Sequence, residues 1–183
     1  MILFLSLFII STYAADEWCT QDRESPPCHG ALGKCTINSD GSLGGFVADT
    51  AIVEPVVVSG LSHNRPYIGL GASICDHARV AGHAWVADSA LVTDSAQIIG
   101  NAWVTGDAWV YGDAWVTENA WVYGDAWVYG NTWVYGNTWV YGDAWVYENA
   151  QIYGNAQVSG KAKVGGNTRI FGNHVILSGN YGF

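Results

Sequence analysis

The sequence predicts an all-β fold: a single chain wound into a three-sided parallel β-helix of eighteen residues per coil, with a disulfide-rich cap at its N-terminal end. Three observations predict it. From Ile68 to Ile176 every sixth residue is Ile or Val, nineteen positions without a gap. Two residues before each of them, from Ala72 to Thr168, stands Ala or Thr, and the series breaks only at His174. Beneath this period of six lies a period of eighteen. One corner column reads Asn101, Asn119, Asn137, Asn155 and Asn173, and another reads Asp107, Asp125, Asp143 and Lys161.

The hexad explains itself physically. In Gly124–Asp125–Ala126–Trp127–Val128–Tyr129 the last four residues alternate small, variable, aliphatic, variable, which sends Ala and Val to one face of a strand and the aromatics to the other. Gly-Asp or Gly-Asn then supplies a corner, because both tolerate positive φ. A helix does not fit, since a six-residue repeat is out of step with 3.6 and Gly recurs throughout. Three strands per revolution make a triangular prism, and Asn amides repeated at one corner can bond into a ladder.

The phrase V-Y-G-D-A-W resembles the hexapeptide repeat of the left-handed parallel β-helix proteins. Their pattern is an aliphatic residue, a loosely restricted one, two turn residues, a small one, then any residue. It holds in frame from about residue 68 to 176. The resemblance implies a left-handed winding. It also implies enzymes: many relatives are acyltransferases that use acyl-CoA or acyl-carrier donors, often as trimers with a His base between subunits, and some are carbonic anhydrases with a His-bound metal.

The N-terminal segments are read in order. Residues 1–14, MILFLSLFIISTYA, have the apolar run and small-residue exit of a secretory signal peptide, cleaved after Ala14. The run is shorter than the roughly 20 residues that span a bilayer. The mature chain is therefore expected outside the cell, with no membrane span. In that oxidising setting Cys19, Cys28, Cys35 and Cys75 predict two disulfides, with three pairings open. No CxxC pair is present, so a zinc site is disfavoured. Residues 15–45 form the cap, 46–67 a first irregular coil with a protruding loop LSHNRP at 61–66, 68–178 the regular prism and 179–183 a tail. Cys75 lies in the first regular coil, where a bridge would pin the cap. The formal charge of −9 argues against nucleic acid and anionic membrane surfaces as partners.

The eighteen-residue period sorts the indoles into columns. Trp85, Trp103, Trp121 and Trp139 share one face; Trp109, Trp127 and Trp145 a second; Trp115 and Trp133 the third. Tyr follows two positions later, as Tyr111, Tyr129 and Tyr147 do on the second face. Ala and Val fill the inside, so the rings point out. With coils about 4.8 Å apart, they must tilt and stack. Stacking braces the coils, yet three aromatic-edged faces exceed what bracing needs. The expected function is a non-enzymatic structural or adhesive protein that binds matrix, or other copies of itself, through these columns. Alternatives are a polysaccharide-binding module and an acyltransferase-like enzyme.

Other candidates are weaker. His63, in the protruding loop, is the best base for an enzyme, with His29 or Asp76 as partner. His77 and His83 fall on successive corners, about 15 Å apart, too far to share a metal. A secreted chain would also lack an acyl-CoA donor. No cofactor or metal is expected. The Asp107, Asp125 and Asp143 column could attract Ca²⁺, but solvated corner carboxylates explain it more simply. An ice-binding array would need outward Thr ranks, whereas Thr132 and Thr138 fall on inward positions. His174 reads as a frayed last coil.

Overall fold

Among the described residues, twenty-three short strands, most of them two residues long, form three sheets, parallel apart from one antiparallel strand at the N-terminal end, that close into a prism. The computed structural model describes residues 28, 31–38, 40–54 and 66–182. The expected signal peptide, Cys19, His29 and His63 lie outside the described residues. Nine strands make the first sheet and seven each of the others, and apart from the first two strands of the nine-stranded sheet, successive strands of a sheet are three apart in chain order. Trp103 therefore pairs with Trp121 and Trp85, Trp109 with Trp127, and Trp115 with Trp133. Each step is eighteen residues, the coil length read from the Asn column. Backbone N–H groups donate to the next coil, as Trp121 does to the Thr138 carbonyl at 2.9 Å.

The core follows from the hexad. The inward Ala, Ile and Val side chains from Ala72 to Val164 form one continuous buried cluster along the prism axis. Thr132 and Thr138 also point inward and are fully buried, and their hydroxyls have no hydrogen-bond partner. A buried hydroxyl left unbonded costs about 1–3 kcal/mol. Thr132→Val and Thr138→Val keep the β-branched shape and remove that cost. Each variant is expected to raise unfolding free energy by about 1 kcal/mol, read from urea midpoints at unchanged slope.

Corners obey a rule that the hexad alone does not state. The first corner residue adopts positive φ, usually as Gly, but Asp76, Asp88, Asp94, Glu118 and Glu148 do so as well. Three of the acids are compensated. Asp88 accepts the Gly106 N–H at 3.0 Å, Asp94 accepts Gly112 at 2.9 Å, and Glu148 accepts Gly166 at 2.7 Å. Each carboxylate thus bonds the coil beneath it, offsetting the left-handed backbone cost of roughly 1–2 kcal/mol. Gly136 has φ of 83°, and a Cβ there would sit 2.7 Å from the Gly154 carbonyl oxygen. Gly136→Ala should therefore lose about 1–2 kcal/mol. Gly136→Asp should lose less, because its carboxylate can reach the Gly154 N–H. Chemical denaturation of the pair measures the difference.

A second corner carries the amide ladder. Asn101 donates to Asn119, Asn119 to Asn137, Asn137 to Asn155 and Asn155 to Asn173, at 3.0–3.1 Å. All donors point the same way along the axis. His83 heads the ladder, with Nδ1 3.3 Å from Asn101 Oδ1.

The two ends differ. At the N-terminal end, β1 (Gly33–Ile37) lies antiparallel to β2 (Leu43–Ala48), which in turn pairs with Ser73–Ile74. The Cys28–Cys75 disulfide ties this segment to the prism, and Cys35 is also disulfide-bonded. At the other end the winding continues past residue 178, because Asn180–Tyr181 pairs with Lys163–Val164. His174 does not interrupt it: its carbonyl still accepts the Gln157 N–H at 2.8 Å. Ile170 and Ile176, in the last coil, are only partly buried.

Candidate interaction surface: the aromatic columns

Alternation puts every Trp of the repeats on the outer surface, one position before an inward Val. On the first face Tyr67, Trp85, Trp103, Trp121 and Trp139 form one stack, with centroid separations from 3.8 to 5.6 Å and planes within 18° of parallel. On the second, Trp109, Trp127 and Trp145 stack at 5.1 and 5.3 Å, and Lys163 Nζ sits 4.2 Å from the Trp145 ring centre. On the third, Trp115 and Trp133 stack at 5.2 Å. The Trp–Trp separations exceed the coil spacing of about 4.8 Å only slightly, so the rings are tilted and offset, as the pitch demands.

A second set of columns runs beside the first. Tyr111, Tyr129 and Tyr147 stack on the second face, Tyr123 and Tyr141 on the first, and Tyr135, Tyr153 and Phe171 on the third. Where the two sets meet, the rings are nearly perpendicular. Tyr111 meets Trp127 at 77°, and Tyr129 meets Trp145 at 72°. Edge-to-face contact suits the ring quadrupoles, so the second face is a herringbone, as is the first, where Tyr123 meets Trp139 at 72°. Tyr147 rests on Gly165, where a Cβ would lie 2.3 Å from its Cζ. The absent side chain leaves room for the ring.

The phenols feel this packing. Desolvation by the neighbouring rings, reinforced by the adjacent tyrosines, raises the pKa of Tyr111, Tyr123, Tyr129 and Tyr135 above the ordinary 10.0. A folded pKa raised above the unfolded one gives stability that is complete below the unfolded value and is lost as pH rises through the folded value. The fold should thus keep its stability up to the ordinary phenol range and weaken beyond it. Ultraviolet titration should show phenolate appearing later in the folded chain than in urea.

The sequence-predicted site residues fall into two groups. All nine indoles of the predicted columns and Tyr111, Tyr129 and Tyr147 come together as three outer faces. Trp103, Trp109, Trp121, Trp133 and Trp139 stay 37–46% exposed despite stacking. Tyr67, Tyr123, Tyr141, Tyr135, Tyr153 and Phe171 extend the columns and were legible by the same eighteen-residue count. The polar candidates do not assemble. His77 and His83 are exposed on separate corners. Asp76 accepts the Thr93 hydroxyl and, at 3.4 Å, the Asp94 N–H, which makes it a corner bracket. Among the described residues no three His, Cys, Asp or Glu side chains converge as a metal cluster.

Comparison with known proteins adds the architecture and no ligand. Residues 96–112 and 150–166 match the family model described as the YdcK beta solenoid repeat. No curated protein matches the chain, and no solved structure matches it. The repeat match and the sheet topology agree that this chain is a parallel β-solenoid built from repeats and edged with aromatic ladders.

Proposed function

We propose that the protein is a secreted, non-enzymatic structural or adhesive member of the hexapeptide-repeat solenoids, wound left-handed, whose aromatic faces bind matrix or further copies of the chain. One observation carries the reading: five indoles remain substantially exposed on faces that are already braced by stacking. Contiguous apolar surface of this kind marks an interaction site. The disulfide bridge fits an oxidising compartment, and no helix among the described residues is long and apolar enough to cross a membrane.

Stacked columns offer ring edges outward and few ring faces. Flat sugar platforms need the faces, so a matrix surface or a second prism with matching ridges is the better partner. Retention on insoluble chitin, cellulose and cell-wall material, run beside sedimentation of the free protein, tests this. Concentration-dependent assembly, or retention lost on Trp121→Ala, is the expected result. A monomer retained by nothing would reduce the columns to bracing alone. Soluble oligosaccharides shifting the Trp fluorescence would move the reading to glycan binding.

A further inference from the structure

We infer that the tyrosine column of the second face is a site of oxidative cross-linking, in which Tyr111 and Tyr129 join as a dityrosine under hydrogen peroxide and a haem peroxidase. The geometry comes first. The two rings lie 4.8 Å apart and within 1° of parallel, so the ring carbons beside each hydroxyl face their counterparts one coil away. The column is short and enclosed, with Tyr147 at its foot resting on Gly165. The rings are half-buried, so radicals formed there are held beside each other rather than released to collide with other molecules.

The neighbours suit the chemistry. Trp127 lies 6.2 Å edge-on to Tyr111 and stacks on Trp109, which is 41% exposed. An indole oxidised at the surface can pass its electron deficit inward along the stack. It is trapped at a phenol, because loss of the hydroxyl proton makes the tyrosyl radical neutral. Asp94 lies within electrostatic reach of Tyr111, and Glu148 of Tyr129. The rings are half-buried rather than sealed, so water can take that proton.

The step balances. Each phenol gives up one electron and its hydroxyl proton. The two radicals couple through one ring carbon beside each oxygen, forming one C–C bond. The hydrogens on those two carbons then move to the oxygens, which restores both phenols. The net loss is two hydrogens, and one hydrogen peroxide takes the two electrons and two protons to become two waters. The product is a covalent staple across two coils. It needs neither a matrix partner nor self-assembly, so its test stands apart from the binding experiment.

The experiment treats dilute full-length protein with a haem peroxidase and hydrogen peroxide, then cleaves after acidic residues and maps the peptides by mass spectrometry. Cleavage after Asp107, Asp113, Asp125 and Asp143 places Tyr111 in 108–113 and Tyr129 in 126–143. The expected product is these two peptides joined with the loss of two hydrogens, at a yield independent of protein concentration. It should be lost in urea. Tyr129→Phe keeps the stack, checked by near-ultraviolet circular dichroism, and should abolish this product; the equally parallel Tyr123–Tyr141 pair of the first face, at 4.9 Å, serves as the internal control, and any link formed there should persist. Products linked only between molecules, an equal yield from unfolded chain, or oxidised indoles with no linked tyrosine would each overturn the inference.

Discussion

Replacing Cys28 and Cys75 together by Ala lowers the unfolding free energy by about 4 kcal/mol. The bridge spans 47 residues, and closing a loop of that length in the unfolded chain accounts for most of the loss. The bridge also sits in a small cluster with Phe46 and Ala48, against Cys35, Ala51 and Leu91. This cluster holds β1 and β2 over the first coil. Without the bridge the cap must be held by the β1–β2 pairing and the β2 contact with Ser73–Ile74. Urea denaturation of the double variant measures the loss. A drop confined to the cap, with the prism unchanged, would appear as two separated transitions by tryptophan fluorescence and circular dichroism.

Trp121→Ala is expected to lower stability by about 2–3 kcal/mol. Trp121 stacks on Trp103 at 4.9 Å and on Trp139 at 5.6 Å, so removing it breaks two ring contacts in the longest column. Trp85→Ala, at the matching position next to the other end of that column, also breaks contacts on both sides, with Tyr67 at 3.8 Å and Trp103 at 5.3 Å. Comparable losses for the two variants would show that bracing is spread evenly. Binding should respond differently. Trp121 is 37% exposed, whereas Trp85 is only partly exposed, so the loss of retention or assembly should be larger for Trp121 than for Trp85. A Phe substitution at 121 restores much of the stack, and its recovery of stability without recovery of binding would separate the two roles.

Most of the architecture was legible in the residues. The aliphatic position every six residues fixed which side chains face inward, and the Asn column from 101 to 173 fixed three strands per coil. Tilted stacking followed from ring thickness and coil spacing. What could not be read depends on contacts between segments without a repeat. No spacing among four cysteines distinguishes Cys28–Cys75 from the other pairings; β2 lying on Ser73–Ile74 brings that end of the chain near Cys75. The antiparallel β1 carries no hexad and gave no signal. Acids at left-handed corners, as in Glu148, were visible as exceptions to Gly, but their bonds to the coil beneath appear only once eighteen residues are folded into one revolution. His83 stands one period before Asn101 and shares its column, but a different residue type hides it from a pattern of Asn. The exposed indoles identify a surface, whereas the partner's chemistry is written in no residue of this chain.

The difference between the two ends has a consequence for how the molecule opens. Each revolution touches only its neighbours, so loss of order travels stepwise from a terminus instead of striking the whole molecule at once. The stapled end resists; the last turn, with Ile170 and Ile176 half covered, yields first. Amide hydrogens should therefore exchange with deuterium along a gradient, fastest near Tyr181 and slowing turn by turn toward Cys75.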